Sequence, residues 1–272
     1  MICAKKRTVI KALAALALSA ACSLALAATV AGTVVNLSGP LMAKKGDGTV
    51  KVLALKSEVE QGDTLVSEKN TFAQIRFVDN SEITIKPNTT FKIETFAYDA
   101  GKPEGDSASF NLVKGGLRSI TGLLGKRNKE KFQLKTPTAT IGIRGTTFTA
   151  DWIEPGEEEV IAAREAFLFA STAGAGVGAV TPVLPPVAKA GGLPPGLYVS
   201  VLDGGIFLSN KGGSQSFAVG QFGYAASYNQ PPVLLPKDPG IKFNPPPTFK
   251  LPLTSGTDNL PNQAASIDCE VR

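Results

Sequence analysis

Between Thr136 and Phe148 the chain reads Thr136-Pro137-Thr138-Ala139-Thr140-Ile141-Gly142-Ile143-Arg144-Gly145-Thr146-Thr147-Phe148. These threonine hydroxyls and the one guanidinium are groups that could do chemistry. A threonine can act as a nucleophile, and an arginine can clamp a carboxylate or phosphate with its planar fork. The nucleophile needs a base, and the 272 residues contain no histidine. That removes Ser-His-Asp and Cys-His systems, histidine-ligated zinc and the commonest general base near neutral pH. An enzyme would be left with paired carboxylates or a Ser-Lys arrangement, so a carboxylate-dependent hydrolase is the minor alternative to a non-catalytic protein. No catalytic residue, metal ligand or cofactor is assigned, and the threonines are read as serving strand propensity.

Arg144 lies between Gly142 and Gly145, which leave space for a neighbouring backbone, while Ile141, Ile143 and Phe148 supply apolar contacts. The expectation is a structural arginine, buried and tying carbonyls or a carboxylate across the domain; the alternative is a receptor for a partner's anion. A second cationic group, Lys126-Arg127-Asn128-Lys129-Glu130-Lys131, follows Gly125. It reads as a solvated hairpin tip. Its alternative reading is a weak, salt-sensitive contact through Lys126, Arg127, Lys129 and Lys131 for an anionic envelope polymer or an acidic partner.

The elements that must position these groups have the period of strands. Ala73, Ile75 and Phe77 alternate with Gln74 and Arg76, Asp79-Asn80-Ser81 makes a turn, and Ile83 and Ile85 carry the apolar face back. After Pro87-Asn88, Phe91, Ile93 and Thr95 face one way and Lys92 and Glu94 the other. The fold class is therefore all-β, with many short, mostly antiparallel strands in a sandwich or roll. An echo supports a layered plan: Leu37–Met42 and Leu202–Phe207 share a strand-turn-strand pattern, each followed by a glycine-rich turn and then by Gly62-Asp63 or Gly220-Gln221. Duplication and convergence of tight hairpins both account for it.

Residues 155–196, rich in Ala, Gly, Val and Pro, read as an insertion between a strand at 147–153 and one at 197–202. A short helix is expected after Glu157-Glu158-Glu159. From Asn229 onward nine prolines fall in 44 residues. The expectation there is an extended tail, unable to form a regular sheet, whose apolar residues Val233, Leu234, Leu235, Ile241, Phe243, Phe249 and Leu251 dock in part on the domain.

At the N-terminus Lys5, Lys6, Arg7 and Lys11 precede an apolar run from Ala12 to Ala21, and Ala25-Leu26-Ala27 has the small-x-small form of a cleavage site. Residues 1–27 are therefore expected to be a signal peptide, with the mature protein periplasmic or secreted and without a transmembrane span. A lipoprotein attached through Cys22 and an uncleaved anchor, for which the apolar run is short, are the alternatives. Removing four basic residues leaves 24 against 23 acidic ones, a net charge of +1, so the folded domain has no overall basic footprint for nucleic acid. Only Cys269 of the three cysteines remains, and no intramolecular disulfide is possible.

The stretch from Thr136 to Phe148 resembles the signature of the FecR domain family. Gly32-Thr33-Val34, Gly62-Asp63, Phe77-Val78-Asp79-Asn80-Ser81 and Val113-Lys114-Gly115-Gly116-Leu117-Arg118 precede it in matching order. The likeness runs from about Thr33 to Ile153, and the strands from Tyr198 to Ala225 resemble the family's closing segment. Pro137, Thr140, Gly142, Arg144, Gly145, Thr146, Thr147 and Phe148 are the signature residues it implies. It also implies a β domain over residues 28–228, with core 33–153 and 197–228, followed by the tail 229–272. The family's best-known members resemble a periplasmic sensor that relays a receptor's signal to a sigma factor through a membrane-spanning helix. Here residues 1–11 precede an apolar run ending at a cleavage-like site. The expected role is therefore an envelope interaction or scaffold module whose partner is an envelope protein or cell-wall polymer, with a sensory component acting through a separate membrane protein as the alternative.

Overall fold

The computed structural model describes residues 29–156, 193–247 and 249. The expected signal, Cys22, the helix after Glu157, Leu251 and Cys269 lie outside these residues, as does most of the insertion. Among them run seventeen strands: β1 (Val30–Leu37), β2 (Leu41–Lys44), β3 (Val50–Leu53), β4 (Glu58–Glu60), β5 (Thr64–Ser67), β6 (Ala73–Phe77), β7 (Glu82–Ile85), β8 (Thr90–Ala97), β9 (Ser107–Ile120), β10 (Phe132–Lys135), β11 (Thr140–Ile143), β12 (Thr147–Ile153), β13 (Gly196–Asp203), β14 (Gly205–Asn210), β15 (Gly213–Ala218), β16 (Phe222–Ala225) and β17 (Val233–Leu235). A single-turn helix, α1 (Leu123–Arg127), follows β9. The all-β expectation holds, and no helix among the described residues is long and apolar enough to cross a membrane.

The strands form two sheets that share β9. The first runs β4-β1-β6-β7-β9-β12-β13-β16-β17 and the second β3-β2-β5-β8-β9-β10-β11-β14-β15. Residues from Ser107 to Lys114 pair in the second sheet, and those from Gly115 to Ile120 in the first. The change of sheet needs a bend, and Gly115 makes it with φ +84°, a left-handed conformation that costs glycine nothing sterically. Thr89 holds the bend. Its hydroxyl accepts from the Gly116 N–H and donates to the Gly116 carbonyl, both at 3.1 Å.

Every pairing is antiparallel except β9 with β10, where Phe132 to Lys135 runs parallel to Ala108 to Asn111. The crossover through α1 makes that possible, because parallel neighbours need a connection longer than a hairpin. The sequence echo has a spatial counterpart. Both β1 and β13 lie in the first sheet, each passes through a glycine corner into a second-sheet hairpin, β2–β3 or β14–β15, and the chain returns beside its start as β4 or β16.

Between the sheets Phe110 of β9 is fully buried, with ring centroids of Phe77, Phe91, Phe96 and Phe132 at 5.1, 5.4, 6.1 and 5.7 Å. Alternation fails in β8, where a bulge between Ile93 and Thr95 turns Thr95 outward and brings Phe96 into the core. The tail also departs from expectation. Val233 to Leu235 pairs with Tyr224 to Phe222 as an edge strand, a position that tolerates the bracketing Pro232 and Pro236 because one side needs no partner.

Two outcomes follow from this packing. Truncating Phe110 to alanine should cost about 3–5 kcal/mol, read from urea unfolding, because its ring anchors both sheets. Ile153 pairs with Gly196 across β12 and β13, so replacing residues 157–192 with a short Gly-Ser linker should keep a single cooperative transition; its loss would place that segment in the core.

Candidate functional site

The signature residues build a corner between the two sheets, with β11 in the second and β12 in the first. Gly145, at φ +71°, turns the chain between them. Thr146 is buried, and its N–H donates to the Thr121 hydroxyl at 2.9 Å while its carbonyl accepts from that hydroxyl at 2.6 Å. The Thr146 hydroxyl bonds the Gly205 carbonyl and accepts the Arg144 N–H at 3.2 Å. This hydroxyl is committed to structure on every side. Pro137 is exposed in the β10–β11 turn, which the Thr136 hydroxyl closes onto the Ala139 carbonyl at 2.7 Å. Thr140 is half-buried, and Thr147 and Phe148 are buried. At Gly142 the missing side chain is replaced by the Phe207 ring, which lies where a Cβ would stand.

Arg144 overturns the burial expected for it. It is exposed, and only its backbone N–H is tied down, to the Gly205 carbonyl at 2.8 Å. The reason is strand alternation carried to the end of β11: Ile141 and Ile143 point inward, so position 144 emerges at the corner. The structural-tie role belongs to Arg127, which stays exposed but is bonded to the buried Asp106 and so leaves the group expected to be free for an anion. Its Nε and one terminal nitrogen grip Asp106 at 2.6 and 2.8 Å, and it also bonds the carbonyls of Asp99 and Ala100 at 2.5 and 3.2 Å. Its guanidinium stands 4.6 Å from the Tyr98 ring centroid. Lys126, Lys129 and Lys131 remain exposed around α1 and the 3-10 turn after it, not on a hairpin tip. Lys131 and Arg144 lie at the same end of the β10–β11 hairpin, two residues beyond the Gln133–Gly142 pair, with no ion pair or shared acceptor joining them among the described residues.

A different site emerges on the outer face of the first sheet. One rung crosses seven strands through Asn36, Gln74, Thr84, Arg118, Thr149, Ser200 and Phe222. Gln74, Thr84 and Arg118 are buried although they face away from the core. One rung further along, Lys86 meets Asp151 at 2.5 Å. Gly116 makes room for that pair, since a Cβ there would collide with the Asp151 carboxylate and the Lys86 stem. The covering layer is the tail. Lys86 donates to the Lys242 carbonyl at 3.1 Å, and the Phe243 and Phe249 rings meet Phe72 edge-on at 6.1 and 6.3 Å. Ile241 joins Lys86, Pro87, Trp152 and Ile153 around an open cleft of about 340 Å³.

Burial raises the Asp151 carboxyl above its usual range, and Lys86 offsets part of this. Burial lowers the Arg118 guanidinium, with Glu82 opposing. Among the described residues the Arg118 Nε has no hydrogen-bond partner. Among the described residues no three His, Cys, Asp or Glu side chains gather as metal ligands. Sequence reasoning missed Lys86, Arg118 and Asp151. The available signal was that Arg118 and Asp151 occupy outward positions in strands whose other residues are mostly apolar or small.

The fold and this face define a two-sheet β domain whose chemical groups lie on surfaces rather than in a deep pocket. Residues 63–163 match the family model for FecR protein, so this stretch carries a FecR domain. The span begins at Asp63, inside the likeness expected from Thr33 onward. No curated protein matches the chain. Two crystal structures of a candidate anti-sigma factor from Parabacteroides distasonis are similar, each at 11% identity and TM-score 0.40, covering 64% of this chain. The chain spans 60% of the length of that protein.

The two arginines should separate in stability measurements. Arg144→Ala should stay within about 0.5 kcal/mol of wild type, as exposed substitutions do, whereas Asp106→Ala should lose about 1–3 kcal/mol because it removes the buried acceptor shared by Arg127, Asn128 and the Asp99 N–H. The hydrogen bond from Arg127 holds the Asp106 carboxyl below its usual value of 3.8. A depressed carboxyl stabilises the fold above its unfolded value, and that stabilisation fades as pH falls through the folded one. Urea midpoints at about pH 6 and about pH 3 should therefore converge in Asp106→Asn relative to wild type.

Proposed function

We propose that this chain is a non-enzymatic regulatory protein of the bacterial envelope that works by recognising another protein through its FecR domain. The observation that carries this reading is the family match over residues 63–163. It supports the sensory alternative more directly than the scaffold reading. The chemistry of the signature agrees, because Thr146, its most buried hydroxyl, is spent on backbone bonds and Arg144 is offered to solvent. An exposed arginine at a rigid corner suits a partner's carboxylate, since its fork binds two oxygens at once. In this reading the protein is exported with removal of residues 1–27, so a membrane-spanning partner carries the signal onward.

Crosslinking in intact envelopes followed by purification tests the proposal. A receptor or membrane signalling protein should be captured, and capture should fall in Arg144→Glu with the melting temperature unchanged. Recovery of glycan and structural envelope proteins alone would favour a scaffold and overturn the regulatory reading. Mass spectrometry of the native protein should find Ala28 at the N-terminus; a retained Met1 or a lipid-modified Cys22 would refute the export step.

A further inference from the structure

The tail covers the outer face of the first sheet without matching it. Polar residues on the outer face of a sandwich are normally wet, yet Arg118 is 8% exposed, and its Nε has no acceptor. The other charges on this face are spoken for. Glu82 accepts from Gln74 and Arg76 at 2.8 and 2.9 Å, and Asp151 is held by Lys86. What lies over Arg118 is a ring, with Phe243 6.0 Å from the guanidinium carbon, at the limit of useful cation–π attraction. The strap is also of the wrong charge for a cationic site. From Pro236 to Phe249 it carries Lys237 and Lys242 against a single carboxylate, Asp238.

Its polar attachments are few. Among the described residues they are the three paired residues of β17 and one bond from Lys86 to a backbone carbonyl, and the remaining hold is apolar: Phe249 is buried, Phe243 and Phe249 meet Phe72 edge-on, and Ile241 lines the cleft. An extended segment therefore fits this face sterically and leaves the Nε of its central arginine without an acceptor. A segment of another protein with a carboxylate where the Phe243 ring now lies would satisfy the Arg118 fork, and an aromatic residue could still use the edge of Phe72.

We propose that the outer face of the first sheet is the docking surface for an extended, acidic partner segment, with Arg118 as its carboxylate anchor and Phe72 as its aromatic seat, and that the strap from Pro236 to Phe249 covers it until that segment displaces it. This deepens the protein-recognition reading above and rests on it. The strap makes the competent face a minor state, so apparent affinity is reduced by the fraction of chains in which it is lifted.

The test uses the full chain and a fluorescent synthetic peptide with glutamate and phenylalanine at alternate positions, beside the same peptide with glutamine for glutamate. Phe243→Ala/Phe249→Ala should bind the glutamate peptide at least about tenfold tighter than wild type, and the glutamine peptide should bind that variant about tenfold more weakly than the glutamate one. Adding Arg118→Gln should erase the difference between the peptides. Trp152, the only tryptophan of the chain, borders the cleft beside Ile241 and should report the strap's release. Should the double variant unfold, hydrogen exchange of wild type decides: saturating glutamate peptide should increase exchange across residues 240–249. Equal affinity for the two peptides, equal affinity of wild type and variant, or unchanged exchange would overturn the proposal. Such a failure alongside intact partner capture from envelopes would sink the strap and leave the regulatory reading standing.

Discussion

One bend in one strand holds this protein together. Strand β9 enters as the centre of the second sheet, turns at Gly115 and leaves as the centre of the first, so the two sheets cannot slide or separate without breaking it. Thr89 locks the turn from both sides of the Gly116 peptide. The adjacent glycine has a second duty, because its missing side chain lets the Lys86–Asp151 pair lie flat over the sheet. Backbone geometry and surface electrostatics thus meet at two consecutive residues. Phe110, earlier on the same strand, converts the bend into a core by touching rings from both sheets.

The cations divide into those the fold consumes and those it leaves over. Lys45 bridges Glu60 and Asp63 at 2.7 and 2.9 Å, Arg127 is gripped by Asp106, and Lys86 is held by Asp151. Each of these joins segments distant in sequence and contributes more than a solvated surface pair, because at least one partner is buried. Arg144 and Arg118 are different. The first is exposed at a corner stiffened by Thr146, and the second is buried with an unmet donor beneath the tail. Charges that structure does not use are where recognition is best sought.

The FecR match and the polar rung lie in the same part of the molecule. The matched residues 63–163 include β6, β7, β9 and β12, four adjacent strands of the first sheet, and with them Gln74, Thr84, Arg118, Thr149 and Asp151. The corner formed by the signature feeds β12 into that sheet, so its threonine knot fixes the height of the strand that carries Asp151. Signature and face are therefore mechanically continuous, although no signature side chain reaches the rung.

Local pattern was enough to establish the all-β class, the β6–β7 hairpin with its Asp79-Asn80-Ser81 turn, the layered echo, and a FecR-type signature. Each of these depends on residues close in sequence: period-2 alternation, turn residues that tolerate left-handed backbone, and contiguous motif residues. Charge partners were not legible, because Arg127 and Asp106 are 21 residues apart and Lys86 and Asp151 are 65 apart. Composition made Arg144 look buried and Arg127 look free; the structure exposes Arg144 and ties the exposed Arg127 to Asp106. The inversion has a plain physical cause: exposure is set by which sheet face a position meets and by what lies on top of it. A tail more than a hundred residues away covers Arg118, and no spacing within the strand records that. Sequence determined which elements form; the sharing of β9 and the folding back of the tail decided which of their charges are spent and which remain to bind.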